Sequence, residues 1–144
     1  MPKIIIHSPA ATFDAAGREG VARELTDFAL DCERLPKSPF VKSTVWLYFN
    51  EYQGDAVFMG HEPASAKVVS VQVYVIEGGL DDEAKRTLIR GATEILGRHS
   101  GAGKLVPVYL VIHEVPEINW GIFGNNADLQ ALRASRPDEP ALPL

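Results

Sequence analysis

A strand-helix-strand unit occurs twice in this chain of 144 residues, and that repetition limits the folds open to it more than any other feature. In the first unit Lys3 to His7 reads as a strand. A helix of roughly Asp14 to Cys32 follows, with Val21, Leu25, Phe28 and Cys32 at helical spacing. Gly17 and Gly20 weaken it, Pro36 and Pro39 end it, and Lys42 to about Glu51 is rich in β-branched and aromatic residues. The second unit repeats the plan. Lys67 to Ile76 alternates, with Val69, Val71, Val73 and Val75 on one face, and Glu77-Gly78-Gly79 makes a turn. Asp81 or Asp82 caps a helix to about Arg98, with Ala84, Leu88, Ala92 and Ile95 inward. Gly101-Ala102-Gly103 breaks it, and Leu105 to His113 is a strand.

Two such units predict an α/β fold: two parallel strand pairs joined in one four-stranded sheet, with both helices on one face. The domain is expected over 1–135, its units at about 2–53 and 66–124. Gly54 to Ser65 reads as a linker with a small hairpin or turn, and 136–144 as a C-terminal tail, an arm or disordered. Helices on one face leave the other sheet face apolar and open, which predicts a homo-oligomer.

Composition removes several classes of function. A formal charge of −5 lacks the basic face of a nucleic-acid binder. No run approaches the roughly 18 apolar residues of a membrane span, and the first residues do not read as a signal peptide. A lone cysteine, Cys32, fits a reducing, cytoplasmic setting and reads as a core residue. His7, His61, His99 and His113 show no metal-ligand spacing, so neither a metal nor another cofactor is expected. Gly101 to Lys104 is too short for a phosphate loop.

The chemistry-bearing residue is the second one. Removal of Met1 leaves Pro2 as a terminal secondary amine directly before the first strand. Inside a chain a prolyl nitrogen is a non-basic amide; at the terminus it is a base or a nucleophile. Burial disfavours its charged form and lowers its pKa, toward the range where a general base works at neutral pH.

A family resemblance joins these features. The stretch Val75-Ile76-Glu77-Gly78-Gly79-Leu80-Asp81-Asp82-Glu83-Ala84-Lys85-Arg86-Thr87-Leu88-Ile89-Arg90 resembles the strand-turn-helix of 4-oxalocrotonate tautomerase. Val111 to Gly124, with Pro116, Asn119, Trp120 and Gly121, resembles that family's second strand and the loop after it. With Pro2 and the doubled unit, the chain is similar to the fused, two-unit members of the tautomerase superfamily, cis-3-chloroacrylic acid dehalogenase and malonate semialdehyde decarboxylase among them. The resemblance implies a trimer, a small-molecule substrate, and Pro2 as the catalytic group. Val69, internal and without an amine, takes the matching place in the second unit, so one competent site per chain is implied. Trp120 falls at a pocket aromatic of the family, and equally suits a plain core position.

Departures from the family pattern are informative. Gly79 and Tyr109 stand where the tautomerase has arginines. Ala29 aligns with the dehalogenase's histidine, Asn119 with its water-activating glutamate, and Ile76 and Gly79 with its paired arginines. Without an arginine fork a substrate carboxylate lacks its bidentate partner, so dehalogenation is not expected. The leading expectation is keto-enol isomerisation of a small carbonyl compound, with Pro2 as base, Tyr109 and Asn119 donating to the enolate oxygen, and Trp120 as an apolar wall. The alternatives are a catalytically silent binding or assembly module, and a decarboxylase or hydratase using protonated Pro2.

Overall fold

Four strands form the main sheet in the order β2-β1-β5-β6: β1 (Lys3–Pro9), β2 (Trp46–Tyr52), β5 (Val69–Ile76) and β6 (Val108–Val115). The computed structural model describes residues 1–64, 67–102 and 107–143. β1 runs parallel to β2, β5 runs parallel to β6, and the two pairs meet antiparallel along β1 and β5. This is the topology expected of the doubled unit. Of the sequence expectations, Leu105 and Val106 in the last strand, Gly103 of the glycine break and Lys104 beyond it lie outside the described residues. So do Ser65 of the linker, position 66 and Leu144.

Period-two alternation decides which face carries the core. Ile4, Ile6, Val69, Val71, Val73 and Val75 are all at most 1% exposed. They pack under α1 (Ala15–Cys32) and α3 (Asp82–Ser100) with Val21, Leu25, Leu88, Ala92 and Leu96. Val21 and Leu25 are buried on α1 as expected, but Ala29 and Leu30 complete its buried face while Phe28 and Cys32 are only partly covered. Asp14 caps α1, its carboxylate accepting from the Gly17 N–H at 2.7 Å, and Asp81 caps α3 by accepting from the Ala84 N–H at 2.8 Å. Gly101, left-handed at φ 65°, ends α3.

The two α1 glycines serve packing. A Cβ on Gly17 would stand 2.7 Å from the His99 carbonyl oxygen, and one on Gly20 would overlap the His99 ring. Their absence lets the C-terminal end of α3 approach closely enough for Glu24 to bind both Arg98 and His99, which holds its carboxyl below the ordinary range. Gly17→Ala should therefore destabilise the fold by about 1–2 kcal/mol, overpacking outweighing the helix-propensity gain. Urea unfolding measures this, and a stabilised variant would show that the helices have room to separate.

Two short helices depart from the sequence expectation. Residues 42–45 precede the strand: α2 (Pro39–Ser43) takes up 39–43, and β2 begins only at Trp46. Ser38 caps α2, accepting from the Val41 N–H, and Pro39 is pre-set for the first turn. Beyond the second unit, α4 (Leu129–Arg133) is capped by Asp128 and buries Leu129 and Leu132. The tail returns to α2: the Phe40 N–H donates to the Glu139 carbonyl and the Leu142 N–H to Ser43 Oγ.

After each parallel pair comes the same device, a 3₁₀ turn and a two-residue hairpin. The first is Gly54–Ala56 followed by β3 (Phe58–Met59) and β4 (Glu62–Pro63). The second is Glu117–Asn119 followed by β7 (Gly121–Ile122) and β8 (Asn125–Asn126). The Ala64 N–H donates to Val57 O in one, and the Ala127 N–H to Trp120 O in the other. The repeat thus extends past the strands to the loops that flank the sheet ends.

Candidate active site at the amino terminus

Lys3 pairs with Trp46 on one side and Tyr74 on the other, so the residues before it enter the sheet end between β2 and β5. Pro2 is buried there. Met1 is 1% exposed and packs among Leu30, Val41, Val45, Ile76, Leu129 and Leu132. Its amine donates to Glu33 Oε2 at 2.7 Å. Glu33 caps the C-terminal end of α1 and is itself 1% exposed; its Oε1 is buried without a partner.

Burial dominates this pair electrostatically. It lowers the amine's pKa and raises that of Glu33, while the mutual attraction works the other way on each. Desolvation therefore draws the pair toward its uncharged form, a free amine beside a protonated carboxyl. Nearby, burial pushes the Cys32 thiol up to about 11, which suits a core side chain and not a nucleophile.

Sequence reasoning missed Arg133. From α4 its guanidinium donates to the Glu33 carbonyl at 3.1 Å and the Gly79 carbonyl at 3.4 Å. It thus reaches the turn where the resemblance marks a missing arginine, and does so from a helix not foreseen. A Cβ on Gly79 would meet Ile76 O at 2.9 Å and Glu33 Oε1 at 3.2 Å, so a larger residue there would crowd the carboxyl.

The other sequence-selected residues fall into two places. Asn119 and Trp120 line a cavity of about 350 Å³ at the amino-terminal end of the sheet, with Lys3, Tyr48, Tyr74 and Phe123. Trp120 also packs against the cluster around Met1, so it both borders the cavity and joins the core. Tyr109 lies elsewhere. It pairs with Ser70, near the start of β5, roughly 16 Å along the sheet from Pro2, and is 74% exposed. There it borders a larger cavity of about 700 Å³ with His7, Ser8, Tyr52 and Ser70. That cavity sits where the second unit begins, at Val69, and Val69 offers no amine. Within one chain, Trp120 and Asn119 share a cavity with Lys3, the residue next to Pro2, whereas Tyr109 lies at the other end of the sheet.

Of the strand histidines, His7 shares a 2.8 Å hydrogen bond with the Tyr52 hydroxyl. His113 stacks on Tyr74 at 4.6 Å, with Nε2 buried and unpartnered. Among the described residues no three His, Cys, Asp or Glu side chains cluster to hold a metal ion, and no helix is long and apolar enough to cross a membrane.

Residues 70–128 match the family model of the tautomerase enzymes. A member of the cis-3-chloroacrylic acid dehalogenase family superposes with a TM-score of 0.74 at 23% identity, over 88% of this chain and 83% of that one. A fused 4-OT solved as an asymmetric trimer gives 0.74 at 18% identity, over 90% and 98%. Macrophage migration inhibitory factor of Toxoplasma gondii gives 0.69 at 17% identity, over 87% and 99%. No curated protein matches the chain. The second unit thus matches the tautomerase family, and the chain as a whole has the tautomerase-superfamily fold in its fused, two-unit form.

Proposed function

We propose that the protein is a tautomerase that interconverts keto and enol forms of a small carbonyl compound, with the terminal amine of Pro2 as general base. The observation that carries this reading is the burial of Pro2 and of the amino terminus at the sheet end. Burial there lowers the pKa of the Met1 amine, and a Pro2 amine freed at the same place would be desolvated in the same sense. A free amine near neutrality is what proton removal next to a carbonyl needs. Trp120 supplies an apolar wall, and Asn119 a donor for the developing enolate oxygen. Arg133 stands at Gly79 as a single guanidinium already engaged with two carbonyls, which suits a neutral or monoanionic substrate better than a dicarboxylate such as 2-hydroxymuconate.

Pro2→Ala keeps a terminal amine but changes it from secondary to primary. It should lower turnover of phenylenolpyruvate while circular dichroism stays unchanged. An unchanged rate would move the chemistry away from Pro2.

The open sheet face carries Trp46, Tyr48, Tyr109 and Val111, each at least 40% exposed. We expect it to be covered by further copies of the chain in a trimer, the state named for the fused 4-OT above. Assembly is also the route by which Tyr109 of one copy can meet Pro2 of another. Sedimentation should give three copies at micromolar concentration; a stable monomer would contradict this.

A silent binding module is the second reading. It is favoured by the methionine that fills the space beside Pro2, because a chain that retains Met1 has no basic proline.

A further inference from the structure

The space held by Met1 is apolar except at one point. Leu30, Val41, Val45, Ile76, Leu129 and Leu132 enclose the side chain. Beside it lies a cavity of about 280 Å³ with a mixed wall: Phe40 and Ile122 are apolar, Thr44, Asn126, Asp128 and Glu139 are polar, and Met1 forms part of it. Removing Met1 joins that cavity to the vacated cell and brings both to the Pro2 nitrogen. Within the Met1 cell itself the polar group is Glu33, with Oε2 on the amine and Oε1 buried and unpartnered.

Glu33 is an unfavourable residue where it stands. A carboxylate at a helix C-terminus opposes the helix dipole, glutamate is almost never fully buried unless paired, and an unpaired buried oxygen adds a desolvation cost. The position that carries the dipole and desolvation costs is the one that reaches and pairs with the amino terminus.

We infer that Glu33 is the proton partner of the Pro2 amine, and that the two pass a single proton round a closed loop. A small ketone or enol with an apolar end would lie in the cell that Met1 vacates. This rests on the tautomerase reading above. The Pro2 nitrogen is one residue along from the Met1 amine, about 3.8 Å in Cα spacing, and Glu33 reaches it by turning across the emptied cell.

The loop balances in both directions. The free amine takes a proton from the carbon next to the carbonyl: the C–H bond breaks and an N–H bond forms. The C–H electron pair becomes the C=C bond, the carbonyl π pair moves to oxygen, and that oxygen takes the Glu33 proton. The enol leaves behind an ammonium-carboxylate pair, the contact that the Met1 amine makes in the structure. One proton passing from nitrogen to Glu33 resets the site, and the reverse sequence ketonises an enol.

The test uses the wild-type chain and Glu33→Gln, both labelled with [15N]proline, since only a terminal proline gives a titrating amine signal. The other ionisable groups at Glu33 are Arg133 and Cys32, and burial holds the Cys32 thiol up at about 11. Loss of the carboxylate leaves burial unopposed, so the Pro2 pKa should fall by about one unit or more in Glu33→Gln. The kcat for phenylenolpyruvate should fall about 100-fold with little change in KM. An unchanged pKa, or turnover that survives the substitution, would overturn the role of Glu33. A shifted pKa in a chain that turns over no enol would overturn the tautomerase reading, and the loop with it. Should the variant fail to fold, the wild-type titration decides: a paired amine titrates in two coupled steps, and a single step would overturn the pairing.

Discussion

A chain made with Met1 still attached is expected to turn over phenylenolpyruvate about 10²–10⁴-fold more slowly than the chain that begins at Pro2, the usual contribution of a positioned general base. Two effects act together. The Pro2 nitrogen becomes an amide, which neither accepts a proton at neutral pH nor donates one. The methionine side chain also fills the apolar cell that a substrate would enter, being 1% exposed among leucines and valines. Its own amine does not replace that of proline, because the methionine side chain beside it leaves a substrate no room. Steady-state rates on the two forms, separated by mass, give the ratio directly. Equal rates would mean that neither the Pro2 amine nor the Met1 cell takes part.

The same residue should act on stability with the opposite sign. Met1 contributes a fully buried side chain to the cluster that joins α1, α2 and α4 to the sheet end. Deleting such a side chain costs its transfer free energy plus a cavity term, about 2–5 kcal/mol in core truncations. The cell is bounded by the short helices α2 and α4, so partial collapse keeps the loss in the lower half of that range. The chain beginning at Pro2 should therefore melt on the order of 5–10 °C below the Met1-bearing chain at equal concentration. A ligand that fills the cell should restore most of the difference. Coincident melting curves without ligand would show that Met1 lies outside the core. A chain that is more stable but inactive with Met1, and less stable but active without it, trades packing for a site.

The main sheet was legible because its signals are local and periodic. Val69, Val71, Val73 and Val75 announce a strand with one buried face, and Asp81 followed by Leu88, Ala92 and Ile95 announces a capped amphipathic helix. Repetition of that unit then fixes the pairing of strands. The site was only partly legible. Pro2 and Trp120 could be singled out from residue chemistry and resemblance, whereas Glu33 and Arg133 could not. Glu33 follows the last turn of a helix, where an acidic residue ordinarily faces water. It is buried because the amino terminus arrives from β1, 32 residues away in sequence. Arg133 belongs to a five-residue helix too short for periodicity to reveal. The Asp128 cap ahead of Leu129 and Leu132 was the available signal, and Ser38-Pro39 was the matching one for α2. Tyr109 shows the converse: alignment with a family arginine suggests a site residue, but strand register puts it at the other end of its own sheet, so its part in the Pro2 site depends on a second copy.

Intact-mass measurement of the purified wild-type protein, made on the same fraction that is assayed for enol turnover, decides whether the Pro2 amine carries the chemistry. The active fraction should be lighter than the full chain by one methionine residue, with activity in proportion to the share of chains that begin at Pro2. Full activity in a fraction whose every chain retains Met1 would contradict it.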